Sequence, residues 1–182
     1  GTLIILYLLM ASSVGTLAAI AGAFVFAVLP YSVYYGRSIL PDPFMVFWAV
    51  LSVYLVYKGD KGDWGKIVLA AVASAIALLV KPMAIFLLVP VPYILVRRYG
   101  FSFHLLIRLF AYSYISLFPL WWWRQWILQY PEGIAVYTWL FNEGGIRFKG
   151  ARFYWLFARR IAELELGYWG LVPLSLGMLI TP

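Results

Sequence analysis

The chain has no cysteine, so disulfides and thiolate metal sites are excluded. Histidine occurs once, at His104, with no second histidine or carboxylate close by in sequence, and it reads as a surface residue. No metal-ligand spacing, glycine-rich nucleotide loop or nucleophile elbow is present. Charge is scarce: 12% of the 182 residues are charged, where an ordinary globular domain carries roughly 25%. Residues 1–36 carry no charge at all. A water-facing surface demands more charge than this, so most of the surface must face lipid or other helices. The hydrophobic share of 65% and the mean hydropathy of +0.90 complete the argument for a polytopic membrane protein.

Aromatic residues make up 20% of the chain, which suits belts of Trp and Tyr at membrane interfaces. The net charge of +7 raises the question of nucleic acid. The basic residues are dispersed at the edges of apolar runs, however, which favours anionic lipid headgroups or phosphate-bearing lipids and leaves nucleic acid out as a partner. The chain starts at Gly1 inside an apolar run with no basic stretch before it, so no signal peptide is expected there. It stops at Pro182 directly after another such run. The expectation is a piece of a longer protein.

Residues 1–36 are too long for one span of ~20 residues and too short for two. The small, polar stretch 11–16 (ASSVGT) offers a break, which makes 2–10 the tail of one helix and 17–34 a full one ending near Pro30. Asp42 to Lys58 is the next span, short but extended by snorkelling of Lys58. Residues 58–66 (KGDKGDWGK) form a solvent loop. Residues 67–96 are apolar except for Lys81, and one helix of that length would measure about 45 Å, so two short spans turning at Lys81-Pro82 fit better. A basic loop over 97–108, a span over 109–123 and a belt at 121–126 (WWWRQW) follow.

The segment 129–167 is the one substantial polar stretch. Within it 152–165 reads as an amphipathic helix lying along the membrane, with Phe153, Phe157, Ile161 and Leu164 on one face. A last span starts at Tyr168. Alternation puts the loops 58–66 and 97–108 on one side, cytoplasmic by their Lys and Arg content. Asp42, Lys81 and 129–167 then lie on the other. Arg147, Lys149, Arg152, Arg159 and Arg160 thus fall outside; either the topology is inverted or, the reading favoured, those cations bind something anionic. The fold class is all-α: a polytopic bundle of about six or seven spans with an extracytoplasmic juxtamembrane helix.

The stretch 31–48 (YSVYYGRSILPDPFMVFW) holds the sharpest chemistry. A carboxylate at Asp42 must sit at the bilayer surface or in a solvating cavity, since burial in lipid would cost several kcal/mol. Pro41 and Pro43 suggest extended backbone there. Asp42 is either a reactive or orienting acid or the N-cap of the following helix. Arg37 either pairs with Asp42 or contacts a phosphate. Lys81, held at a turn by Pro82, is either a phosphate ligand or an interfacial anchor. Arg147, Lys149 and Arg152 flank a Gly-Gly pair and suit a lipid phosphate or pyrophosphate, or form an ordinary solvated face.

The order of a span ending at Pro30, then YYGRSILPDPFMVFW, the loop KGDKGDW and a span ending LLVKPMAIFLLVP resembles the membrane glycosyltransferases of the protein O-mannosyltransferase and aminoarabinose-transferase superfamily, with the GT-C fold. Residues 131–170 are similar to the extracytoplasmic juxtamembrane segment of its bacterial members. The resemblance covers nearly the whole chain. It implies a multi-pass protein of the plasma (inner) membrane that moves a sugar from a polyprenyl-phosphate donor to a lipid, glycan or protein acceptor at the extracytoplasmic face. It places the catalytic base in a first loop that would precede Gly1. Asp42 then matches the second acidic position, near the donor, Arg37 the arginine before it, and Lys81 a basic residue ahead of the hairpin turn. A fragment without the first-loop acid is expected to be inactive alone. No cofactor is called for, and participation of a divalent metal stays open.

The chemistry agrees. A lipid-phosphate sugar leaves as a phosphate, so cations must meet developing negative charge, and the acceptor hydroxyl needs a base or an acid that orients it. The alternative is a non-enzymatic membrane module, such as a lipid-carrier transporter or an assembly subunit. A transporter should show internal repeats and ionisable groups near mid-bilayer. Here no repeat is visible and the charges collect at span ends.

Overall fold

The computed structural model describes residues 1–37 and 40–130, together with Arg159, Glu163, Tyr168, 170–172 and 175–176. Among these residues no strand occurs. The order is α1 (Thr2–Ser13), α2 (Thr16–Val28), α3 (Pro30–Arg37), α4 (Pro41–Lys58), α5 (Trp64–Val80), a 3₁₀ segment (Pro82–Leu88), α6 (Pro90–Tyr99) and α7 (Phe103–Ile127).

Local sequence sets each boundary. The break between α1 and α2 falls within the expected ASSVGT stretch, at Val14 and Gly15. Gly15 takes φ 97°, a left-handed conformation that a side chain would strain. Pro30 opens the short helix α3, where its fixed φ suits a first turn. Leu40, ahead of Pro41, is extended (φ −120°, ψ 150°), as a residue before proline is driven to be. Asp63 caps α5 by accepting the Lys66 backbone N–H at 3.0 Å. Ser102 caps α7 in the same way, from Leu105 N–H at 3.3 Å.

The reversal at Lys81-Pro82 is as expected, for α5 ends at Val80 and the chain returns through the 3₁₀ segment and α6. Two expectations need correction. Asp42 is not in extended backbone: it is the second residue of α4, and the extended residue is Leu40. The basic loop over 97–108 is much shorter, since α6 runs to Tyr99 and α7 starts at Phe103, which puts His104 and Arg108 in the first turns of α7.

Helix α5 packs against both α4 and α7, and α1 joins on the other side of α4. Alanines Ala70, Ala71, Ala73, Ala75 and Ala77 are buried along α5. Such small side chains let helix backbones approach closely where lipid offers no hydrophobic drive between helices. One core gathers Val53, Val56, Ile67, Val91, Leu95 and Leu105. A second, toward the Asp42 end, gathers Met45, Ala49, Ala77, Leu78, Ala84 and Leu88. The stretches Pro82–Tyr99 and Phe103–Ile127 are each long and apolar enough to cross a membrane. The outer faces are apolar too: Leu17 is 83% exposed and Phe110 is 73% exposed.

Candidate functional site

Two prolines bring the site together. Pro41 starts α4 one residue before Asp42, so the carboxylate lies in the first helical turn, where the helix dipole favours an anion. Pro82 ends α5 by pushing Lys81 into extended backbone (φ −153°, ψ 117°). The helices run antiparallel, and the two side chains meet. Lys81 Nζ donates to Asp42 Oδ1 at 2.6 Å. The pair is half-open, with Lys81 at 42% and Asp42 at 33% side-chain exposure. Asp42 therefore does not act as the helix N-cap. That position is Leu40, which makes no side-chain cap bond.

The pair lines a cavity of about 720 Å³. Its polar wall includes Ser32 and Tyr35 of α3, and its apolar wall includes Leu3, Phe26 and Val46. A charged pair at one side of a greasy hollow suits a ligand with a charged head and an apolar body.

Arg37 does not join the pair, contrary to one expectation. It is exposed at the end of α3 and lines a neighbouring cavity with Val28, Pro30, Val33 and Tyr34. Arg147, Lys149 and Arg152 lie outside the described residues, as does most of the expected amphipathic helix. Of that segment Arg159 and Glu163 are described, and they form an ion pair at 2.6 Å with the four-residue spacing of a helix face. The Tyr168 hydroxyl donates to the same carboxylate at 2.5 Å. Among the described residues no three His, Asp or Glu side chains gather as a metal site.

A family model described as dolichyl-phosphate-mannose-protein mannosyltransferase matches residues 1–159. The chain belongs to this mannosyltransferase family. No curated protein and no solved structure matches it. Family membership makes the protein a membrane glycosyltransferase of the mannosyltransferase kind, and the two membrane-length apolar stretches accord with that.

Two constellations in this family member escaped the sequence reading. The first is a hydroxyl cluster between α4, α5 and α7. Ser74 donates to Ser52 Oγ at 2.7 Å, Ser52 Oγ and the Tyr112 hydroxyl are 3.1 Å apart, and Ser74 also bonds Tyr112. Ser116 adds a bond to the Tyr112 carbonyl at 2.6 Å. All four residues are buried. Interhelical hydroxyl bonds of this kind contribute about 1 kcal/mol each in a bilayer. Ser74 stands alone in an apolar run, but Tyr112 and Ser116 sit in AYSYIS beside Ser113 and Tyr114, so nothing in the sequence singles the cluster out.

The second lies at the opposite end of the bundle. The Arg108 guanidinium is held between two rings, 4.8 Å from the Trp64 centroid and 4.4 Å from that of Tyr99. Nearby, Arg98 donates to the Tyr57 carbonyl at 2.8 Å, and Lys66 binds Asp63 at 3.1 Å and the Lys58 carbonyl at 3.2 Å. No spacing rule joins Trp64, Tyr99 and Arg108 in sequence, because they come from three helices.

Proposed function

We propose that this mannosyltransferase transfers a sugar from a polyprenyl-phosphate carrier to an acceptor hydroxyl at the extracytoplasmic face, in the cavity beside Asp42 and Lys81. The observation that carries the reading is the Asp42–Lys81 pair on the wall of a cavity that is otherwise largely apolar. Lys81 meets the phosphate of the donor, and its charge stabilises the negative charge that grows there as the glycosidic bond breaks. Asp42 accepts the hydrogen bond of the acceptor hydroxyl, orients it for attack on the anomeric carbon and receives its proton as the bond from that carbon to the phosphate oxygen breaks. Arg37, in the neighbouring cavity, and Arg147, Lys149 and Arg152 supply further cations to the lipid phosphate. The prenyl chain follows the apolar wall toward the lipid. The acceptor is a protein, lipid or glycan hydroxyl.

The distribution of cations at the helix ends supports this choice of face. The loop 59–63 and the link 100–102 lie together at one end, where Lys58, Lys61, Lys66, Arg97, Arg98 and Arg108 concentrate. By the positive-inside tendency that end is cytoplasmic and the Asp42 end is outside. On this reading the protein is a multi-pass protein of the plasma membrane, with 129–167 assigned to the outer side.

The test is a transfer assay on the full-length protein in nanodiscs with two mannose donors, one polyprenyl-phosphate-linked and one nucleotide-linked. Turnover is expected with the lipid-linked donor alone. Turnover with the nucleotide sugar and none with the lipid donor overturns the reading. Single cysteines, simple to place in a chain without any, check the face. Gly36→Cys should react with an impermeant thiol reagent in intact cells, and Lys61→Cys should be protected.

A further inference from the structure

The two groups assigned to donor and acceptor are bound to each other. Lys81 Nζ sits 2.6 Å from Asp42 Oδ1, which is a full charge-assisted hydrogen bond. No other ion pair reaches either group among the described residues. Lys81 cannot give its charge fully to a phosphate while Asp42 holds it. Asp42 cannot accept an acceptor hydroxyl through that oxygen while Lys81 occupies it.

We infer that the pair works by exchange: the donor's phosphate takes Lys81 from Asp42, and only then is the carboxylate free to receive the acceptor. The inference rests on the proposed placement of donor and acceptor. It adds an order, donor before acceptor, which the site alone does not impose. Three features support it. Both side chains are partly exposed on the cavity wall, so an incoming anion reaches the pair without unfolding anything. Lys81 hangs from extended backbone beyond the end of α5, with a flexible four-carbon stem that can swing to a new partner. Asp42, by contrast, sits in the first turn of a long helix behind a proline, so the carboxylate stays where it is when the cation leaves. A mobile cation facing a fixed anion is the asymmetry an exchange requires. In the resting state the pair also neutralises the carboxylate, which keeps a lone anion from facing the apolar wall.

A double-mutant cycle on ligand binding tests this. Decaprenyl phosphate, which carries no sugar, is titrated into the full-length protein in phosphatidylcholine nanodiscs, with intrinsic tryptophan fluorescence as the readout. The proteins are wild type, Asp42→Asn, Lys81→Gln and the double variant. Lys81→Gln should weaken binding about ten-fold or more, the loss expected for one charge-assisted contact. Asp42→Asn should tighten it about three- to five-fold, because the competitor for Lys81 is gone. In the Lys81→Gln background Asp42→Asn should change affinity by less than about two-fold, since coupling through Lys81 is then absent.

Equal tightening in both backgrounds would mean that Asp42 merely repels the phosphate, and it overturns the exchange. No tightening by Asp42→Asn, alongside weakening by Lys81→Gln, also overturns the exchange and leaves the donor site standing. No effect of Lys81→Gln removes the donor site itself. If Asp42→Asn does not yield a monodisperse protein, Asp42→Ser replaces it in the same cycle.

Discussion

The two ends of the helix bundle handle charge in opposite ways. At the end formed by 59–63 and 100–102 four charged side chains are tied into structure. Arg108 lies between two aromatic rings, Arg98 and Lys66 donate to backbone carbonyls, and Asp63 caps α5. At the other end Asp42 and Lys81 bind only each other among the described residues, on the wall of an open cavity. Helix ends need their backbone groups satisfied, and the first end uses its side chains for that. At the second end Pro41 and Pro82 set the boundaries of α4 and α5 by backbone geometry alone. In the proposed function the charged side chains there are left to meet a ligand. Similar residue types, set in two kinds of terminus, divide into scaffold and site.

The largest effect expected from this contrast is at Asp42. In the full-length protein Asp42→Asn should cut transfer by ~10²-fold, the range for losing a positioned acid–base or orienting group, with the melting temperature nearly unchanged. The amide has the shape of the carboxylate and Asp42 caps nothing, so a purely structural role predicts little loss of rate. At the other end the expectation reverses. Arg108→Gln should lower stability by about 1 kcal/mol, the scale of a cation–π contact, while transfer stays within about two-fold of wild type. A large loss of turnover in a well-folded Arg108→Gln protein would erase the distinction between the ends.

The smallest effect is a pH dependence at the scaffold end. The Lys66 backbone N–H, together with the Lys66 ammonium, holds the Asp63 carboxyl below the usual carboxylate range. A carboxylate with a lowered folded value stabilises the structure above its unfolded pKa, and that contribution is lost as pH falls through the folded value. The start of α5 should therefore loosen in acid. Amide exchange at Lys66, corrected for its intrinsic rate, should speed up as pH falls below the ordinary carboxylate range. In Asp63→Asn, which still caps but does not titrate, that acceleration should be absent.

Much of this architecture could be read before any coordinates. Lys81-Pro82 marked the reversal between α5 and α6, and ASSVGT marked the break between α1 and α2, because proline and glycine act locally. Asp42 and Lys81 stood out for the same reason, as charges at the ends of apolar runs. Their pairing did not, since 39 residues separate them and the partner nearest in sequence was Arg37. The start of α7 is not legible because His104 and Arg108 read as polar loop residues, while arginine is a good helix former and Arg108 finds the rings of Trp64 and Tyr99 only in the fold. The hydroxyl cluster of Ser52, Ser74 and Tyr112 needed three helices in register to be seen.

Where the lipid phosphate sits is the most direct test of the difference between the ends. A polyprenyl phosphate with a diazirine beside its phosphate can be photolysed in nanodiscs with the full-length protein, and the adducts mapped by peptide mass spectrometry. The account predicts adducts within 32–46 and around Lys81, lost on competition with unmodified polyprenyl phosphate. Adducts concentrated within 58–66 and 97–108, with 32–46 unlabelled, would place the phosphate at the scaffold end and contradict it.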